Sequence, residues 1–307
     1  MVPLVPLVGS CRIASRRLQQ IVASASPGRR SFSSAGMENG LVSCEWLRSE
    51  MTGGRAPRIV DATWYLPNSP FAAKGPQTAQ EDFLVGPNIP GAVFFDIDAV
   101  AEKHPNGVPH MLPSPELFAA AMAALGIGPT TPVVAYDRHG IFSAPRFWYT
   151  LKVAFGHKAE VAVLDGGLPR WQELGYPVEN GMELPPPVPV ESWSRAPGTS
   201  WDLERVRQNI DTREALHLDA RPAARFHGTA PEPREGMRGG HVPGSLSAPF
   251  LDFLTEGPVL RMREKKDLQE RLAAAGITDL EKTPVVTSCG SGLSACVVGL
   301  AMHQAGM

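Results

Sequence analysis

Short apolar runs recur along the chain in a fixed order, separated by polar segments rich in glycine and proline. Ile59-Val60-Asp61-Ala62 is matched by His217-Leu218-Asp219-Ala220, and Ile89-Pro90-Gly91-Ala92 by Val242-Pro243-Gly244-Ser245. The helical stretch Leu117–Leu125 before Pro132-Val133-Val134 is matched by Leu268–Ala275 before Pro284-Val285-Val286. The offset is about 153 residues, so the chain holds one unit twice. Each copy reads strand, turn, short strand, amphipathic helix, buried strand, loop and helix. Short apolar strands alternating with helical periods predict a parallel sheet flanked by helices on both faces. The expected class is α/β, in two similar domains.

The copies end differently. The first continues through Val161-Ala162-Val163-Leu164-Asp165-Gly166-Gly167 into a helix containing Trp171, whereas the second stops at Met307, where that strand is due. The second domain is therefore expected to lack its last strand and helix, a shortfall of about 25–40 residues by the arithmetic of the repeat. Between the copies, Pro185-Pro186-Pro187 and Pro189 mark a stiff, extended linker. The expected organisation is a first domain at 41–178, a linker at 179–200 and a second domain at 201–307.

Residues 1–36 follow another pattern. Ala14, Leu18, Ile21, Val22 and Ala25 share one helical face, with five arginines, seven serines and no acid in the segment. An acid-free, Arg- and Ser-rich amphipathic stretch is the pattern of a transit peptide, here read as mitochondrial (matrix) in preference to plastid or cytoplasmic. Without it, 24 basic residues face 31 acidic ones. That balance argues against nucleic acid as a partner, since no basic surplus exists to displace counterions. No run of about 18 apolar residues spans a membrane. Four cysteines with no CxxC pair rule out a disulfide scaffold or a Cys-rich zinc module. The eight histidines lack metal spacing, so no metal and no cofactor are expected.

Candidate chemistry concentrates in one loop. Superposing the copies sets Asp137-Arg138-His139-Gly140 against Cys289-Gly290-Ser291-Gly292, with Leu293-Ser294-Ala295 leading into a helix. A cysteine at the carboxyl end of a parallel strand lies at the rim where α/β folds bind ligands. Glycines let successive amides turn inward, and the helix N-terminus adds positive potential; both favour the nucleophilic thiolate. Cysteine phosphatases also use such a nest, but they need an arginine six positions after the cysteine, where this chain has Ala295. Cys296 falls inside the following helix and is expected to be a buried, small apolar residue. Trp64, Trp148 and Trp171 are read as core or interface packing.

The stretch Cys289-Gly290-Ser291-Gly292-Leu293-Ser294-Ala295-Cys296 resembles the active-site loop of the tandem-domain rhodanese family. It is most similar to the 3-mercaptopyruvate sulfurtransferase branch, in its plant and algal form. Further matching motifs are Asp61-Ala62-Thr63-Trp64-Tyr65-Leu66-Pro67, Phe94-Phe95-Asp96-Ile97-Asp98, His110-Met111-Leu112-Pro113 and Thr229-Ala230-Pro231-Glu232-Pro233-Arg234. Thiosulfate-using members carry two large basic residues after the cysteine, where this chain has Gly290 and Ser291. Leu293 and Ser294 replace the family's usual valine and threonine, and Asn88 stands where histidine is usual, a change expected to be structural.

The resemblance implies two rhodanese-like domains, each a five-stranded parallel sheet flanked by helices, with the site between them. Asp137 in place of cysteine implies an inert first loop. Cys289 would take sulfur from 3-mercaptopyruvate, release pyruvate and pass the sulfur from a persulfide to a thiol acceptor (thioredoxin or a small dithiol) or to cyanide. Ser291, His110 and Asp98 map onto the family's Ser-His-Asp arrangement. Arg225 and Arg234 map onto its substrate arginines, whose planar forks suit a 2-oxo acid; Arg221 is read as a structural pair. Gly290, Gly292, Leu293, Ser294 and Ala295 would offer backbone amides to the persulfide. The competing readings are a thiosulfate–cyanide sulfurtransferase and an inactive truncated fragment acting as a binding module.

Overall fold

The computed structural model describes residues 36–37, 39–67, 70–75, 77–181, 185–233, 236–277 and 284–307. Apart from Gly36, the expected transit peptide lies outside them. The first sheet contains β1 (Leu41–Val42), β2 (Arg58–Asp61), β3 (Ala92–Phe94), β4 (Val133–Tyr136) and β5 (Val161–Leu164), in the order β1-β5-β4-β2-β3 and parallel throughout. Every residue of β4 and β5 is buried, as expected of strands covered on both faces. The covering helices are α1 (Cys44–Thr52), α2 (Ala79–Val85), α3 (Pro115–Ala124), α4 (Ala144–Trp148) and α5 (Gly167–Glu173). Ser43, Thr78 and Ser114 cap the first three, each accepting a backbone amide of the first turn. A π-helix, Tyr149–Ala154, extends α4.

The second half contributes α6 (Leu203–Thr212), β6 (Leu216–Asp219), α7 (Ala223–Phe226), β7 (Leu246–Ser247), α8 (Lys265–Ala274), β8 (Val285–Ser288) and α9 (Ser294–Ala305). Its sheet, among the described residues, is β7-β6-β8, all parallel. This repeats β3-β2-β4 of the first sheet. The free edge of β8 corresponds to the edge that β5 occupies in the first, and all four β8 residues are only half-buried. The five strands implied for each domain are thus three here. Among the described residues β1 has no counterpart either, and in the first sheet β1 pairs with β5 alone. No described helix is long and apolar enough to cross a membrane.

The two halves share one core, and polar contacts lock them. Asp165, in the turn after β5, accepts from Arg261 Nε at 2.8 Å and from the Met262 amide at 2.9 Å. Gly140 has φ +107°, and a Cβ there would run into the Leu260 carbonyl, so the second half threads tightly past the first loop. Asp165→Ala is expected to lower stability by about 1–3 kcal/mol, because the Met262 N–H loses its only acceptor among the described residues. Urea unfolding measures this; an unchanged midpoint would show that the lock is dispensable.

Burial also sets a pH response. The imidazoles of His139, His157, His217 and His303 are all pushed below the ordinary 6.5, chiefly by burial. His157 shows why: Nε2 lies 2.8 Å from the Thr131 carbonyl and the ring stacks on Trp193, while Nδ1 is buried with no hydrogen-bond partner among the described residues. A proton on Nδ1 would be stranded. The unfolded chain binds that proton near pH 6.5 and the folded chain only below it, so this contribution to stability falls as pH drops through 6.5. Asp61 and Asp165, pushed up by burial, act in the opposite sense. A variant isolates the histidine: the stability gap between the parent and His157→Gln is expected to narrow from pH 7.5 to 5.5. A constant gap in urea midpoints would refute the assignment.

Candidate active site

Cys289 follows the carboxyl end of β8, with its side chain turned back under the loop. The Gly292 amide donates to its sulfur at 3.0 Å. That turn needs φ +86° at Gly292, a conformation L side chains rarely adopt. Beyond Leu293 the twelve-residue α9 begins, directing its positive end toward the sulfur. Cys296 sits in α9 as expected: it is buried, its sulfur donates to the Gly292 carbonyl at 3.0 Å, and burial pushes its thiol up to about 12.

The first copy shows what such a loop does with a negative group. Asp137 Oδ2 accepts the amides of Phe142, Ser143 and Ala144 at 2.8, 2.9 and 2.9 Å, and Oδ1 accepts that of His139 at 2.9 Å. Four backbone donors enclose a fully buried carboxylate. The pair Ser143-Ala144 recurs as Ser294-Ala295 at the start of α9, in a loop one residue shorter than the first. The first loop carries its own anion.

A second group comes from the first half. His110 is buried and takes φ +58°, a left-handed conformation unusual for histidine. Its Nε2 lies 2.9 Å from Asp98 Oδ1, and the Trp64 indole donates to Asp98 Oδ2 at 2.9 Å. The Trp64 ring also stands edge-on to the imidazole, centroids 4.7 Å apart. The hydrogen bond from His110, more than any other influence, holds the Asp98 carboxyl below its usual range. His110 Nδ1 is buried and has no partner among the described residues. Asp98 and His110 therefore come together as expected. The Ser291 hydroxyl makes no hydrogen bond to His110 among the described residues. The two residues meet instead through Arg146 of α4, which donates to the His110 carbonyl at 2.5 Å and the Ser291 carbonyl at 3.3 Å.

The arginines divide unequally. Arg221 is bound to Asp219, to Glu232 and to the Gly240 carbonyl, which makes it a structural residue. Arg225 lies against the loop, its Nη2 3.5 Å from where a Cβ on Gly290 would sit. That same Nη2 donates to Glu232 at 2.5 Å, while Nε is buried without a hydrogen-bond partner among the described residues. Arg234 lies outside the described residues.

Two residues of this constellation escape sequence reasoning. Trp64 does more than the packing expected of it: its indole orients Asp98. The signal was available, because a tryptophan N–H that is not in water needs an acceptor. Arg146 stands outside the expected site, although the repeat marks it: once the shorter second loop is allowed for, Ser143-Ala144-Pro145-Arg146 aligns with Ser294-Ala295-Cys296-Val297, with an arginine in one copy only.

Comparison with known proteins agrees with the geometry. The Rhodanese-like domain family matches residues 43–174 and 202–307. The mitochondrial thiosulfate/3-mercaptopyruvate sulfurtransferase 1 of Arabidopsis thaliana is 37% identical over 298 residues, 90% of this chain and 74% of the relative. Human 3-mercaptopyruvate sulfurtransferase is 37% identical over 271 residues, 87% of this chain and 86% of its own. The crystal structure of SseA, a 3-mercaptopyruvate sulfotransferase from Escherichia coli, superposes with a TM-score of 0.74 at 32% identity, covering 87% of this chain and 94% of that one. The chain belongs to the rhodanese family of sulfurtransferases, in its tandem-domain form.

Proposed function

We propose that this protein moves sulfur from 3-mercaptopyruvate, through a persulfide on Cys289, to a thiol acceptor. The observation that carries the reading is the pair of loops: one encloses the carboxylate of Asp137 in four amides, and its copy sets the Gly292 amide on a cysteine sulfur. Such a cradle suits an anion that comes and goes, as a persulfide does.

The Cys289 thiolate attacks the donor sulfur and forms an S–S bond. The donor's C–S bond breaks, its electron pair passes to the enolate carbon, and protonation there gives pyruvate. An acceptor thiolate then attacks the outer sulfur and Cys289 leaves as thiolate. With thioredoxin or a small dithiol, the second thiol displaces hydrosulfide and closes a disulfide; with cyanide the product is thiocyanate. His110 carries the proton, with its imidazole oriented by Asp98, and Ser291 relays it near the donor sulfur. Arg225 and Arg234 hold the carboxylate and keto oxygen, and Gly290, Gly292, Leu293, Ser294 and Ala295 supply amides to the persulfide.

Two features favour mercaptopyruvate over thiosulfate: Gly290 and Ser291 in place of basic residues, and relatives named for that donor. The name of the Arabidopsis relative includes both donors, so the test runs them in parallel. A mitochondrial location accords with the composition of residues 1–36 and with that relative. The test is the intact mass of the chain after mixing with either compound. A gain of one sulfur with mercaptopyruvate supports the proposal. A gain with thiosulfate alone reverses the donor assignment, and no gain with either leaves the inactive-fragment reading.

A further inference from the structure

Arg146 is a buried arginine without an acid. Its residue is 7% exposed, and among the described residues no carboxylate lies within ion-pair distance of it. Buried cations are normally paired, so a guanidinium held only by neutral acceptors needs a reason. Its acceptors point to one. Nε lies 3.3 Å from Thr150 Oγ1, one turn along the same helix, whereas Nη2 and Nη1 reach the carbonyls of His110 and Ser291. His110 belongs to the first half and Ser291 to the loop of Cys289 in the second.

The His110 carbonyl belongs to backbone that is hard to hold. His110 takes φ +58° without the freedom of glycine, and such conformations persist only where surrounding bonds over-determine them. On the other side, Gly292 presses so close that a Cβ there would lie 2.6 Å from Arg146 Nη1. Gly292 is also the residue whose amide reaches the Cys289 sulfur. One rigid fork therefore touches the turn that presents the imidazole and the turn that presents the sulfur.

We propose that Arg146 is a positioning residue, fixing His110 and the Cys289 loop against each other across the domain boundary. The planar guanidinium suits this task because its two terminal nitrogens serve two acceptors at a set separation, which an ammonium cannot do. Its uncompensated charge also faces a loop that becomes anionic in the cycle, where a fixed cation needs no reorganisation. This inference rests on the roles given above to Cys289 and His110.

The test uses the full chain, with Arg146→Lys and Arg146→Met beside the parent. Three quantities are measured: the fraction of chains that finally gain sulfur from 3-mercaptopyruvate, the single-turnover rate constant of that gain, and the urea midpoint. Both variants are expected to load completely but slowly, with the rate constant down about 100-fold in Arg146→Met, as for other small misplacements of reacting groups. Arg146→Lys, which keeps the charge and loses the fork, is expected to fall by about 10-fold or more. A purely structural peg would instead reduce the fraction loaded and leave the surviving chains at the parental rate, and that result overturns the proposal. So do parental rates in both variants. If Arg146→Met fails to fold, Arg146→Lys decides by the same criterion. A parent that takes up no sulfur overturns the functional reading and this inference together; a parent that loads, beside variants that load equally fast, overturns this inference alone.

Discussion

Cys289→Ser is expected to take up no sulfur from either donor, with turnover reduced on the order of 10⁵-fold or more, as when the nucleophile of other covalent enzymes is removed. A serine oxygen cannot form the S–S bond on which both half-reactions depend. The substitution suits the loop, because the hydroxyl can accept from the Gly292 amide as the sulfur does. The urea midpoint should therefore stay close to the parental value, which separates lost chemistry from lost structure. No other described cysteine can substitute: Cys44 and Cys296 are buried, and burial pushes both thiols up to about 12. A Cys289→Ser chain that still gains one sulfur would move the carrier elsewhere and sink the mechanism.

The second large effect concerns the imidazole. His110→Asn is expected to lower kcat/KM by about 10²–10⁴-fold, the usual contribution of a general acid–base. Asparagine is the appropriate replacement because it tolerates the left-handed backbone at φ +58°, whereas alanine would confound lost chemistry with a strained turn. Asp98→Asn should cost less, since the carboxylate acts only through the imidazole and its Trp64 contact can survive as an amide. The double variant should then be no worse than His110→Asn alone, because two residues acting as one unit are not additive. Fully multiplicative losses would show that Asp98 has a role of its own, and a His110→Asn enzyme near parental activity would remove His110 from the mechanism.

The contrast between the copies explains what the sequence could show. Strands β4 and β5 are unbroken apolar runs because both their faces are covered, and that pattern is visible along the chain. The duplication could be read for the same reason, and it placed Cys289 opposite Asp137. Positions fixed by through-space bonds left no such trace. The reach of Arg146 to two carbonyls, the left-handed turn at His110 and the capture of Arg225 by Glu232 depend on segments brought together by folding. Periodicity reports which face a residue occupies, not which distant carbonyl it meets. Asn88 is an intermediate case. Its expected structural role appears as Nδ2 bonds to the Phe83 and Gly181 carbonyls and acceptance from Arg138, although the partners were invisible beforehand.

The segment joining the halves has a kinetic consequence. Its proline-rich stretch is fastened along the first domain: Val188 and Ala196 donate to the carbonyls of Ala123 and Ala154, Trp193 packs edge-on to Phe118 and stacks on His157, and the Tyr149 hydroxyl donates to the Thr199 carbonyl. Only a few residues separate that last bond from α6. The slack that would let the halves diffuse apart is therefore removed as the first domain forms, and the effective concentration of one half at the other is set by a short leash. Under that condition a modest interface suffices. A guanidinium across two carbonyls and a carboxylate on a backbone amide need supply only orientation, because proximity is already provided by the chain.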